Sequence, residues 1–144
     1  MNSEIEYIYR VFKSTWGIYI KIVSDITQLS QSTEEECLVA ISPGIWAKLS
    51  DAKNTGEDKL LEDEVTFLWE GLRMVAEQIK LHTPYKSDTL INITQVSIAP
   101  CDFQKEGLTA AIIEWAAVAF NFKPPTIMVE FIKDTNRYEF DYKF

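Results

Sequence analysis

The sequence predicts an α+β fold: one domain over residues 1–144, with a mostly antiparallel sheet, two long helices and a C-terminal strand–helix–hairpin. Three observations predict it. Residues 106–122 are almost entirely apolar at helical spacing. Residues 60–82 carry a sustained apolar stripe. Residues 127–144 alternate with period two on both sides of a turn cluster.

At the N-terminus, Ser3 and Glu6 have the spacing of a capping box, and Ile5, Ile8 and Phe12 follow at helical intervals. That pattern predicts a first helix over residues 3–15. Residues 16–30 fit two templates. Ile18, Ile20 and Ile22 alternate as in a strand, whereas Ile18, Ile22, Ile26 and Leu29 fit a helix that Gly17 weakens. Both stand at this point, and the β-branching favours a helix passing into a strand. Residues 29–36 are polar and read as a loop. Cys37 to Ile41 is a short apolar run, a buried strand or packed segment, closed by the turn Ser42-Pro43-Gly44. One or two helical turns are expected over residues 45–49, and an exposed loop over 51–58.

In residues 60–82, Leu61, Val65, Leu68, Leu72, Val75, Ile79 and His82 step alternately by four and three. Phe67, Trp69 and Met74 widen the stripe beyond a coiled-coil seam, so a globular helix is expected, with dimerisation through the stripe as the alternative. Residues 90–98 read as a strand whose apolar phase shifts between Ile93 and Val96, which predicts a bulge near Thr94-Gln95. The helix at 106–122 is apolar all round, interrupted by Thr109, Glu114 and Asn121, so it must be buried on two sides. Asp102, or the turn at residues 104–106, is the expected N-cap, and Pro124-Pro125 ends the element. Ile127, Val129 and Phe131, then Tyr138, Phe140, Tyr142 and Phe144, form the two stripes of a hairpin around Asp134-Thr135-Asn136. The second stripe reads as core; at a sheet edge it would instead suit β-augmentation.

A chain of 144 residues with 47% hydrophobic content builds its own core. No secretory signal pattern and no run of about 20 apolar residues is seen, so the expected compartment is the cytoplasm, with no membrane partner. Cys37 and Cys101 read as free thiols, with a disulfide as the alternative. The net charge is −8, and residues 34–70 hold ten acids against three bases. Glu34, Glu35, Glu36, Glu57, Asp58, Glu62, Asp63 and Glu64 are its nodes. Such a segment repels nucleic acid and attracts basic surfaces. It reads either as a solvated loop and helix start or as a surface for a basic partner.

The sequence carries little that could do chemistry. His82 is the only histidine and lies at a helix end. Cys101 sits just before a helix start, where the dipole lowers a thiol pKa and Asp102 raises it. A pocket near Cys101 and His82 is the one nucleophile–base pairing available to a small enzyme or ligand-binding domain. No phosphate loop, nucleophile elbow, calcium-loop spacing or zinc set is present, so no cofactor or metal is expected.

The stretch Cys101-Asp102-Phe103-Gln104-Lys105-Glu106-Gly107-Leu108-Thr109-Ala110-Ala111-Ile112-Ile113-Glu114-Trp115-Ala116 resembles segments of small bacterial immunity proteins, which neutralise polymorphic or contact-dependent growth-inhibition toxins. It covers about a tenth of the chain and carries no functional residues across. The resemblance implies a non-enzymatic antitoxin, a monomer or weak dimer, that binds a cognate toxin domain, often a basic nuclease. The acidic nodes then become the expected partner-binding residues.

Overall fold

The computed structural model describes residues 4–29, 38–50 and 60–144. Two long antiparallel strands, β1 (Ile5–Phe12) and β2 (Gly17–Gln28), begin it. The expected first helix is therefore a strand. Ile5, Tyr7, Tyr9 and Val11 point towards the core, and Glu6, Ile8, Arg10 and Phe12 point away from it. Ile8 and Phe12 supplied the helical spacing, yet they lie on the open face, where Phe12 is 74% exposed. Once both faces of a strand carry apolar residues, the two periodicities overlap. Residues 17–28 contain no helix either; Ile18, Ile20 and Ile22 are all buried on one face, as period-two alternation requires.

Short strands β3 (Val39–Ser42) and β4 (Ile45–Leu49) form a hairpin over Pro43 and Gly44, and Gly44 takes a positive φ of 88°. The helical turns expected at 45–49 are thus β4, whose Ile45 and Ala47 alternate into the core. The stripe at 60–82 is divided into α1 (Glu62–Met74) and α2 (Ala76–His82). Val75, at φ −114° and ψ 16°, breaks the regular ladder, and its N–H reaches back to Leu72 O at 3.3 Å. The heptad spacing survives the break. Leu68, Leu72, Val75 and Ile79 are all buried within the chain, so this stripe is core rather than a dimer seam.

β5 (Thr89–Ile98) completes a five-stranded sheet in the order β1-β2-β5-β4-β3, antiparallel except between β4 and β5. Val23 pairs with Gln95 and Ser24 with Ile93, so Thr94 is the extra residue of the expected bulge. α3 (Glu106–Phe120) follows, and β6 (Thr126–Ile132) and β7 (Arg137–Lys143) form a separate two-stranded sheet. The α+β class therefore holds, with a mostly antiparallel main sheet and the hairpin standing apart from it.

α3 is sandwiched as its composition demands. β1 and β2 cover one side and α1 the other. Leu108, Ile112, Ile113 and Trp115 are fully buried, each worth about 1.5–3 kcal/mol of transfer free energy. Asp102 is not the cap. Lys105 occupies the N-cap position without a side-chain bond, and Asp102 instead accepts the Gly17 N–H at 3.0 Å. At the other end Asn121 closes the helix in the left-handed conformation, φ 59°.

The hairpin leans its apolar face on this centre. Trp16 meets Phe131 and Tyr138 edge-on at 6.0 and 5.0 Å between centroids. The Tyr138 hydroxyl donates to Trp16 O at 2.6 Å and accepts the Lys13 N–H at 2.9 Å. No helix among the described residues is long and apolar enough to cross a membrane.

Candidate functional site

Of the acidic nodes, Glu34, Glu35, Glu36, Glu57 and Asp58 lie outside the described residues, as does Cys37. Glu62, Asp63 and Glu64 form the first turn of α1. Glu64 accepts the Leu61 N–H at 2.8 Å, which satisfies one of the orphan donors of the helix start. Asp63 pairs with Lys105 at 3.6 Å. All three favour the positive end of the helix dipole. Two of the three thus have structural partners, and Glu62 is exposed.

Cys101 and His82 do not meet. Cys101 is exposed just before α3, beside the Ala99–Asp102 bridge. His82 lies 5.9 Å from the Phe122 ring, past the far end of α3, with Nδ1 2.9 Å from Gln78 O. The helix between them is about 22 Å long at 1.5 Å per residue. Among the described residues no group of three His, Cys, Asp or Glu side chains is placed to hold a metal ion.

The structure instead builds a groove of about 480 Å³ between α1 and β7. Phe67 and Met74 wall one side, and Phe140 and Tyr142 the other. Glu70, Glu106 and Glu139 line it as well. Arg137, its one cation, is committed to Glu106 at 2.7 Å. Burial, with the Glu106 charge adding to it, pushes the Tyr142 hydroxyl up to about 12, so it stays a neutral donor. Through Met74 the groove continues into a second depression of about 750 Å³, bordered by Arg73, Lys123 and Lys143.

β7 is an edge strand, and its free side faces this groove. Buried Gln104 is the residue that sequence reasoning missed. Its carboxamide donates to Tyr138 O at 2.7 Å and accepts the Tyr138 N–H at 2.9 Å. Gln104 therefore occupies the first outward rung of β7 as a neighbouring strand would. Backbone groups alternate sides along a strand, so those of Phe140 and Tyr142 point outward as well. Outside the β6–β7 pairing itself, no described residue bonds to them. Nothing in the sequence around Gln104 signals this role, because it depends on the loop before α3 lying against a strand more than thirty residues later.

A half-buried polar pair lies below β1. Glu114, the sole acid in the middle of α3, accepts the Tyr7 hydroxyl at 2.9 Å. Burial raises the Glu114 carboxyl above its ordinary range, and the Tyr7 bond partly opposes the rise. Burial also holds Tyr7 at about 12, with Glu114 adding to the shift. On the open face of the main sheet, Asp25 Oδ1 is buried without a hydrogen-bond partner. Burial is the first cause of its raised pKa, with Asn92 and Lys48 opposing and Glu4 reinforcing.

Fold and site define a class: an α+β domain with a free strand edge opening into an aromatic, carboxylate-rich groove. Comparison with protein-family models finds no match, and comparison with curated proteins finds none either.

Proposed function

We propose that the chain is an immunity-type inhibitor, which binds a cognate bacterial toxin domain stoichiometrically and blocks it, in the cytoplasm and without catalysis. A basic nuclease domain is the target that best fits the charge. The observation that carries this reading is the α1–β7 groove, where aromatic side chains and three carboxylates flank unpaired strand backbone. Aromatic residues surrounded by a polar rim are the composition of protein-binding surfaces. The charge concentrated in residues 34–70 supports the same reading, since a field of one sign speeds encounter with an oppositely charged partner. The alternative, a small enzyme or ligand-binding domain, would need a site other than a Cys101–His82 pair, since those two residues lie apart.

Co-expression tests the proposal. The gene is paired with the C-terminal region of the large protein encoded immediately upstream. The expected result is growth arrest by that region alone, and rescue through a one-to-one complex. Absence of toxicity, or rescue without a complex, removes the reading.

A further inference from the structure

We propose that the groove between α1 and β7 is a strand-addition site, and that its occupant is an extended segment of a partner protein in which Lys or Arg alternates with apolar residues. The inference rests on the immunity-type reading only for calling that partner a toxin.

The backbone comes first. Gln104 already supplies the donor and acceptor that an added strand would give Tyr138, and it is 4% exposed, so this rung is fixed and dry. The Phe140 and Tyr142 rungs continue from it with the same outward direction and, outside the β6–β7 pairing, no bond to any described residue. A strand of about five residues spans them at 3.3 Å per residue. Main-chain bonds of this kind supply affinity, and alternate side chains supply selectivity.

The side chains of such a strand meet two different surfaces. Those on the inner face meet Phe67, Met74, Phe140 and Tyr142, so apolar residues fit there. Those on the outer face lie beside Glu139 and Asp141, both exposed on β7, with Glu70 on the opposite wall. Opposite charges across neighbouring strands attract, which selects Lys or Arg at those positions.

A second copy of β7 is the competing occupant, disfavoured by charge in one of its two registers, and a concentration-dependent dimer of the free chain in light scattering would favour it over the basic segment. Antiparallel pairing through both open rungs, Phe140 opposite Tyr142, sets Asp141 directly against its own copy but also Glu139 against Lys143 on either side, so charge does not oppose that register. Centring the pair on Phe140 instead sets Glu139 against Asp141 and Arg137 against Lys143. Like charges directly opposite are destabilising.

The test uses the full chain, isotopically labelled, and a capped synthetic octapeptide of alternating lysine and valine. The expected result is saturable binding that slows amide exchange at Phe140 and Tyr142. The double variant Glu70→Lys, Glu139→Lys, at two exposed positions, should weaken binding about tenfold, as two attractive pairs become repulsive. A glutamate–valine octapeptide should not bind. Binding that leaves both amides unprotected reduces the groove to a charged patch and overturns the proposal, as does failure of the lysine–valine peptide to bind. Protected amides without rescue in co-expression sink the immunity reading and leave this site standing. Rescue by the double variant with undiminished affinity for the toxin domain does the reverse.

Discussion

Gly71 sits where α1 crosses α3, and its replacement by alanine tests whether that crossing sets the wall of the groove. A Cβ at this position would lie 2.4 Å from Ile112 Cγ2, 2.8 Å from Thr109 O and 3.3 Å from Thr109 Cα. The methyl of Ile112 belongs to a fully buried side chain, and the Thr109 atoms are backbone, so none of them yields cheaply. α1 or the Ile112 side chain must therefore retreat by about one ångström to restore ordinary contact. Retreat of α1 stretches the bond from the Thr109 hydroxyl to Phe67 O, now 2.8 Å, which is worth about 1 kcal/mol. Overpacking costs a further 1–3 kcal/mol or so. Alanine returns about 1 kcal/mol through its better helix propensity. The net expectation is a loss of about 1–3 kcal/mol, or a fall in Tm of roughly 3–10 °C for a domain of this size. Urea unfolding followed by tryptophan fluorescence reads it, since Trp69 and Trp115 are buried. The midpoint should drop with the slope unchanged. Gly107→Ala is the internal control. Its Cβ would meet only the side-chain carbons of Ile18 and Ile20, the nearest at 3.0 Å, and should cost less. A neutral or stabilised Gly71→Ala, or a Gly107→Ala that is worse, refutes the reasoning.

Gln104→Ala leaves the buried N–H and C=O of Tyr138 without partners, and should cost about 2–6 kcal/mol at roughly 1–3 kcal/mol for each orphaned group. Amide exchange should accelerate at Tyr138; an unaltered rate there would refute the two-bond description. Glu114 has a raised carboxyl pKa, so the folded chain holds its proton more tightly than the unfolded chain. Its contribution to stability therefore falls as pH rises from the ordinary carboxylate range through the raised value. Glu114→Gln should be more stable than wild type near neutrality, and the two urea midpoints should converge on acidification through that window; a pH-independent difference would contradict this sign. Neutralising Glu34, Glu35, Glu36, Glu62, Asp63 and Glu64 together should weaken partner binding in a salt-sensitive way. Unchanged affinity in that variant removes the acidic segment from the interface.

How much of the fold was legible depended on whether one face of an element is polar. β7 alternates Tyr138, Phe140 and Tyr142 with Glu139, Asp141 and Lys143, so only one template fits, and hairpin and structure agree. α3 is legible for the opposite reason, because an apolar run with few β-branched residues and a following Pro-Pro admits only a buried helix. β1 satisfies two templates at once. Its open face carries Ile8 and Phe12 among charges, and those two residues fall at helical spacing with Ile5. What fixes β1 as a strand is the pairing of Ile5 through Phe12 with β2, a long-range fact absent from the local pattern. The same applies to β4, whose five residues become a strand by parallel pairing with β5. The division of the second helix at Val75 left no mark on the stripe, since the buried positions keep their spacing through it.

The candidate site was legible only as a condition. The aromatic–charged alternation of the last strand says that one side faces a core, and it is silent on whether a neighbour lies beside it. Deciding that requires two backbone groups and one carboxamide. Had β7 been an interior strand, a neighbouring backbone would bond the Tyr138 N–H and C=O, and Gln104 would have no reason to be buried. Instead a side chain performs that office for a single rung and stops. A carboxamide can satisfy one residue of a strand but cannot propagate, so the ladder necessarily ends there unless another chain continues it. An open edge of this kind is an aggregation hazard, ordinarily blunted by charge or by cover. β7 has both, with Glu139 and Asp141 on its outer face and α1 across the groove. Acidic protection disfavours acidic strands while admitting basic ones, so the same residues that keep the edge soluble also select what can occupy it.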